Sequence, residues 1–118
     1  MKIFTYKNCG TCKKASKFFK EQNMTVEEIP IRETPPSVNE LERMLSYYDQ
    51  EIKLLFNRSG KDYRELNIKE KIKTMSKKEA LDLLSNNGNL IKRPFVLSDQ
   101  WGLVGFDEER YKQLINHI

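Results

Sequence analysis

The chain has two cysteines, Cys9 and Cys12, in the run Cys9-Gly10-Thr11-Cys12. Cysteines at this spacing at the start of a helix lie within reach of each other, so a disulfide can open and close without moving the rest of the chain. A helix N-terminus carries partial positive charge and unpaired N–H groups, which favour thiolate over thiol. Lys7, Lys13 and Lys14 act in the same direction. The first cysteine of such a pair is the exposed one. Cys9 is therefore expected to be the nucleophile and Cys12, one turn further in, the resolving thiol. Gly10 and Thr11 lie between them and are expected to line the substrate.

Three other uses compete for the cysteines. Core packing suits Cys12, which shares an apolar face with Ala15 and Phe18, but it leaves Cys9 beside Gly10 without a role. A zinc site needs about four ligands, and only His117 is available besides the two thiols. No metal and no cofactor are therefore expected. A structural disulfide is disfavoured in a chain without an export signal. The start, Met1-Lys2-Ile3-Phe4, turns polar at once and has no apolar signal region. A cytoplasmic, reducing compartment follows as the expectation.

The elements that must hold the cysteines come next. Met1–Tyr6 is short, β-branched and aromatic, the pattern of a strand. From Cys12, the residues Cys12, Ala15, Phe18 and Phe19 fall on one helical face ending near Asn23. Met24–Ile31 alternates as a second strand, parallel to the first if the helix crosses between them. Pro35-Pro36 marks a boundary. Ser37 with Glu40, and Ser76 with Glu79, are capping boxes. The first precedes a stripe of Val38, Leu41, Met44 and Leu45, and the second precedes Ala80, Leu81, Leu83 and Leu84. Glu51–Phe56 is a short helix, Asn57–Gly60 a loop, and Asp62–Ile68 one or two helical turns. Asn86-Asn87-Gly88 stops a helix with residues that tolerate positive φ. Phe95–Leu97 and Leu103–Phe106 form a hairpin, and Asp107 caps a last helix burying Tyr111, Leu114, Ile115 and Ile118.

The order is β-α-β, a helical middle, then β-β-α. This predicts an α/β (α+β) fold with a mixed four-stranded sheet, the frame of the thioredoxin-like fold. Residues 1–118 are expected to form one domain with a helical insertion at about 35–89. In that frame a cis proline faces the cysteine motif. Pro94, in Ile91-Lys92-Arg93-Pro94-Phe95-Val96, is the candidate, and Arg93 beside it is then delivered to the same site. A guanidinium there would hold an oxyanion or steady a thiolate. The competing reading is a turn proline with a solvent-exposed arginine.

Length and charge narrow the classes. A chain of 118 residues buries roughly two-thirds of its unfolded surface, enough for one core. No apolar run approaches the ~18 residues of a membrane span. With 10% aromatics and clear apolar clusters, long disorder is excluded. The net charge is +4. Lys2, Lys7, Lys13, Lys14, Lys17 and Lys20 precede the first acid, Glu21. No aromatic–basic binding motif accompanies these lysines, so they are taken as a solvated face, and direct nucleic-acid binding is not expected.

Four segments together resemble the glutaredoxin-coupled arsenate reductase (ArsC) family and its Spx/MgsR-like relatives. They are YKNCGTCKKA from Tyr6, LFNRSGKDYREL from Leu55, LIKRPFV from Leu90, and Val104-Gly105-Phe106 before the last helix. The resemblance spans essentially the whole chain. It implies a thioredoxin-like core with a helical insertion, a catalytic thiol at Cys9 and a site arginine at Arg93. Family reductases surround the cysteine with an arginine triad. Here Asn57, with Arg58 beside it, stands at the middle position, and Val104-Gly105-Phe106 stands at the last. Arg58 is kept as a substrate-binding candidate with Gly10, Thr11 and Pro94. The Cys9/Cys12 pair is similar to that of the Spx branch, whose members bind the RNA polymerase α-subunit. The glycine involved in that contact has no counterpart in Ser46–Glu51.

The first expectation is thus a thiol–disulfide redox protein recycled by thioredoxin, glutaredoxin or a low-molecular-weight thiol. A redox-sensing regulator that binds RNA polymerase is the second reading, and arsenate reduction the third.

Overall fold

The computed structural model describes residues 1–116; His117 and Ile118, the latter expected in the last helix, lie outside the described residues. Four strands form one mixed sheet: β1 (Lys2–Thr5), β2 (Glu27–Pro30), β3 (Phe95–Leu97) and β4 (Gly102–Val104). Their order is β2-β1-β3-β4. β1 and β2 run parallel, with Lys2 opposite Glu27 and Thr5 opposite Pro30. β3 is antiparallel to both β1 and β4. This is the thioredoxin-like α/β architecture.

The two faces of the sheet follow from alternation along the strands. Ile3 and Val96 point to one side, where Ala15, Phe18 and Phe19 of α1 (Gly10–Glu21) meet Tyr111 of α6 (Glu108–Asn116). Phe4, Phe95 and Leu97 point to the other. There the helices between β2 and β3 supply the cover: α2 (Val38–Ser46), α3 (Lys61–Glu65), α4 (Ile68–Lys71) and α5 (Lys77–Ser85). Leu41, Met44, Leu45, Leu81 and Leu84 from α2 and α5 are buried. Val38 and Leu83, expected in the same stripes, are half-buried. Ser37 completes a reciprocal capping box with Glu40. Ser76 accepts the Glu79 N–H at 3.1 Å.

Several boundaries differ from expectation for local reasons. β2 begins at Glu27 rather than Met24, because β1 offers only four residues to pair with; Met24 and Val26 pack beneath α1 instead. The Asp62–Ile68 segment divides into α3 and α4 at Asn67, which takes φ 54°. α5 does not end through positive φ: Asn86 and Asn87 lie at −101° and −150°. Gly88 is needed there for space, since a Cβ would overlap the Ile31 carbonyl. β4 stops at Val104, short of Phe106, because Gly105 turns the chain at φ 76°. Asp107 caps α6 by accepting the Glu109 N–H at 3.1 Å. Tyr111 is buried on that helix, while Leu114 and Ile115 are half-buried. No helix among the described residues is long and apolar enough to cross a membrane.

Candidate active site

α1 starts at Gly10, two residues before the periodic pattern begins, because Cys9 itself is the cap. Its backbone is extended (φ −91°, ψ 112°) and its sulfur accepts the Cys12 N–H at 3.2 Å. The Cys9 N–H returns to the Tyr6 carbonyl at 3.1 Å, closing the turn out of β1. Cys9 and Cys12 form a disulfide with their Cα atoms 5.2 Å apart. The two sulfurs differ in setting: Cys9 is half-buried at the rim, and Cys12 is only 3% exposed. Thr11 Oγ1 lies 3.2 Å from the Cys9 sulfur. The space above Gly10 is open.

The second wall comes from the loop before β3. The Arg93–Pro94 peptide is cis. Thr11 Oγ1 donates to the Arg93 carbonyl at 3.4 Å, which joins this loop directly to the cysteine turn. Pro94 is buried, and its carbonyl accepts the Gly105 N–H at 2.9 Å. The Tyr111 hydroxyl donates to the Gly105 carbonyl at 2.7 Å. The arginine loop is thus fastened to α1 on one side and to α6 on the other.

A cavity of about 510 Å³ opens at this junction, lined by Cys9, Thr11, Phe56, Asn57, Arg58, Ser59, Lys92 and Arg93. Of the residues selected from sequence, it brings together Cys9, Thr11, Arg58 and Arg93. Cys12, Gly10 and Pro94 adjoin these through the turn and the cis peptide but do not line it. Lys92, Asn57, Ser59 and Phe56 line it and were not selected. A one-residue antiparallel bridge, Phe56 with Ile91, brings these last residues to the cavity. It is flanked by Asn57 N–H to Leu90 O at 2.7 Å and Lys92 N–H to Leu55 O at 2.8 Å. The LFNRSGKDYREL and LIKRPFV segments, far apart in the chain, carry no local sign of that pairing.

The site is cationic. Burial lowers the pKa of Arg93 from the usual arginine range, repulsion from Arg32 adds to the lowering, and Tyr6 opposes it. An arginine so far above neutrality stays charged. The arginine triad that the family resemblance implies is incomplete here, since Gly105 and its neighbours carry no cation into the cavity.

A cysteine pair at the first strand–helix turn of such a sheet, joined through Thr11 to the residue that precedes a cis proline, defines a thioredoxin-like thiol redox protein. The ArsC family model matches residues 4–114, and the chain belongs to the ArsC family. It is 42% identical over 111 residues to YusI of Bacillus subtilis, covering 94% of each chain. It is 25% identical to the global transcriptional regulator Spx of Streptococcus mutans, covering 96% of this chain and 81% of that one. An ArsC-family-related protein from Bacteroides fragilis superposes with a TM-score of 0.88 at 36% identity, covering 96% and 95%.

Proposed function

We propose that the protein is a cytoplasmic thiol–disulfide oxidoreductase in which Cys9 attacks, Cys12 resolves and Arg93 stabilises developing negative charge. The observation that supports this most directly is the asymmetry of the pair: a rim sulfur on a helix N-terminus and a buried partner already in disulfide contact. In the cycle, the Cys9 thiolate attacks a substrate disulfide RS–SR′. A Cys9–SR bond forms and R′S⁻ leaves. Cys12 then attacks the Cys9 sulfur, RS⁻ leaves, and the Cys12 proton passes to a released thiolate. The substrate gains two electrons and the protein is left as the Cys9–Cys12 disulfide. Thioredoxin, glutaredoxin or a low-molecular-weight thiol reduces it again. Gly10, Thr11, Arg58 and Pro94 shape the substrate side. The helical segment of residues 35–89 works as part of the same domain, since the Phe56–Ile91 bridge ties it to the cavity.

A second reading is favoured by the Spx similarity over 96% of the chain: a regulator that binds the RNA polymerase α-subunit according to the state of the same cysteines. One experiment separates the two. Cys12→Ser protein is incubated with cytoplasmic extract, and reduced and oxidised wild-type protein are used as bait in parallel. Mixed disulfides accumulating on Cys9 support the oxidoreductase. Retention of the polymerase α-subunit by one redox form, without mixed disulfides, would overturn it in favour of the regulator.

A further inference from the structure

Tyr6 ends the strand that leads into the cysteine turn, and two guanidiniums lie over its ring. The Arg93 Cζ is 4.9 Å from the ring centroid and the Arg32 Cζ is 4.0 Å from it. The two carbons are therefore separated by no more than about 9 Å, close to the Debye length at physiological salt, so their repulsion is only partly screened. Neither arginine forms an ion pair with a carboxylate among the described residues. The Arg93 guanidinium makes no hydrogen bond to the described residues, although it is half-buried. Arg32 donates only through Nε, to Asn89 Oδ1. That bond fixes the plane of Arg32 and leaves its terminal N–H groups without acceptors among the described residues. Asn89 is itself tied to the cavity loop, its carbonyl accepting from Asn57 Nδ2 at 3.5 Å.

Each guanidinium is attracted to the ring, but the two cations repel each other, and the Arg93 donors and the terminal N–H groups of Arg32 have no acceptor among the described residues; a bound anion relieves that repulsion. We propose that Arg32 is a second anion-contacting residue of this site, and that the site selects small disulfides bearing a carboxylate near the reactive sulfur. The inference rests on the thiol–disulfide reading. Arg93 lines the cavity that holds Cys9. A carboxylate shared by Arg93 and Arg32 therefore keeps the attached disulfide on the Cys9 side. The chemistry is the exchange already written; Arg32 changes which disulfide is held, not which bond breaks.

The test measures the reaction of reduced protein with two chromogenic disulfides, the dicarboxylate 5,5′-dithiobis(2-nitrobenzoate) and the uncharged 4,4′-dithiodipyridine. Wild type, Arg32→Ala, Arg32→Lys and Lys20→Ala are compared. Lys20→Ala removes the same unit charge from the exposed face of α1. For a solvent-exposed cation, the Arg32→Ala variant should lose about three- to fivefold of the anionic-to-neutral rate ratio. Arg32→Lys should keep most of the ratio and Lys20→Ala nearly all of it. An unchanged ratio in Arg32→Ala, or an equal loss in Lys20→Ala, overturns the proposal. Equal slowing with both disulfides also overturns it, leaving Arg32 only a support for its loop. A wild-type protein inert to the neutral disulfide would instead overturn the thiol–disulfide reading itself.

Discussion

Reducing the disulfide should leave two thiols of unequal reactivity, and the structure gives the size of the difference. The Cys9 sulfur accepts the Cys12 N–H at 3.2 Å and sits at the N-terminus of the 12-residue α1. A hydrogen bond to a charged group contributes about 1.5–3 kcal/mol, and a helix terminus about 0.3–1 kcal/mol. Cys9 is half-buried, so the low ends of both ranges apply. They favour its thiolate by about 2 kcal/mol, or on the order of thirtyfold in the thiolate-to-thiol ratio. A more stable thiolate is a weaker nucleophile, with a Brønsted slope of about 0.4–0.5, which returns nearly half of that gain on a logarithmic scale. Near neutral pH the thirtyfold ratio raises the thiolate fraction only about fifteenfold above that of a free thiol, so a net advantage of roughly threefold remains. Burial adds to it, since Cys12 is 3% exposed on the face that carries Ala15, Phe18 and Phe19. Iodoacetamide alkylation of reduced Cys12→Ser and Cys9→Ser proteins near neutral pH, followed by mass spectrometry, isolates each thiol. Cys9 in the first variant should react at least about threefold faster than Cys12 in the second, by the same reasoning. Equal rates, or a faster Cys12, would refute both the role of the helix end and the assignment of nucleophile and resolving thiol.

Two further outcomes follow from the same geometry. Burial, with Tyr48 adding to it, raises the Tyr111 pKa well above its ordinary value of 10.0, so folded Tyr111 keeps its proton where the unfolded chain loses it. Its contribution is fully present below pH 10 and falls as pH climbs further; Tyr111→Phe should therefore flatten the alkaline loss of stability in urea titrations, while lowering stability at neutral pH by about 1–2 kcal/mol through the unpaired Gly105 carbonyl. Arsenate reduction should be weak: Arg58 and Lys92 line the cavity with Arg93, but the third family arginine has no counterpart, and one missing charge-assisted contact costs about 1.5–3 kcal/mol, or roughly ten- to a hundredfold in rate. Turnover equal to that of an arginine-complete ArsC reductase in a glutaredoxin- or thioredoxin-coupled assay would contradict this.

The parts legible in the sequence were those set by local periodicity or by a local bond. Ser37 with Glu40 announces a cap because the bonding partners are three residues apart, and the structure forms both bonds. The alternation of Ile3 and Phe4 places them on opposite faces of any sheet, and each is found in a different apolar cluster. The parts that were not legible depend on partners far along the chain. Lys92 and Ser59 reach the cavity only because Phe56 bridges Ile91. Arg32 reaches the ring of Tyr6 only because it follows β2, which pairs with the strand that leads to that ring. Gly88 resembles a helix stop in sequence, and is in fact a point where the chain passes against Ile31.

The same distinction explains how the reactive turn is held. From α6 to Cys9 runs a series of contacts made mostly through main-chain atoms. Tyr111 bonds the Gly105 carbonyl, the Gly105 N–H bonds the Pro94 carbonyl, the Arg93 carbonyl accepts from Thr11, and Thr11 touches the Cys9 sulfur. Only Tyr111, Thr11 and Cys9 enter it through side chains. Main-chain bonds constrain φ and ψ rather than residue type. None of these bonds uses the side chain of Val104 or Phe106, so the scaffold around Cys9 does not depend on a cation at this turn. Positioning of the thiol and recognition of its anion are thereby separable: the first rests on backbone geometry, the second on which cations the cavity displays. Exchanging Arg58 or Lys92 should therefore change which anion the cavity accepts while leaving the cysteine turn and the cis Arg93–Pro94 peptide in place.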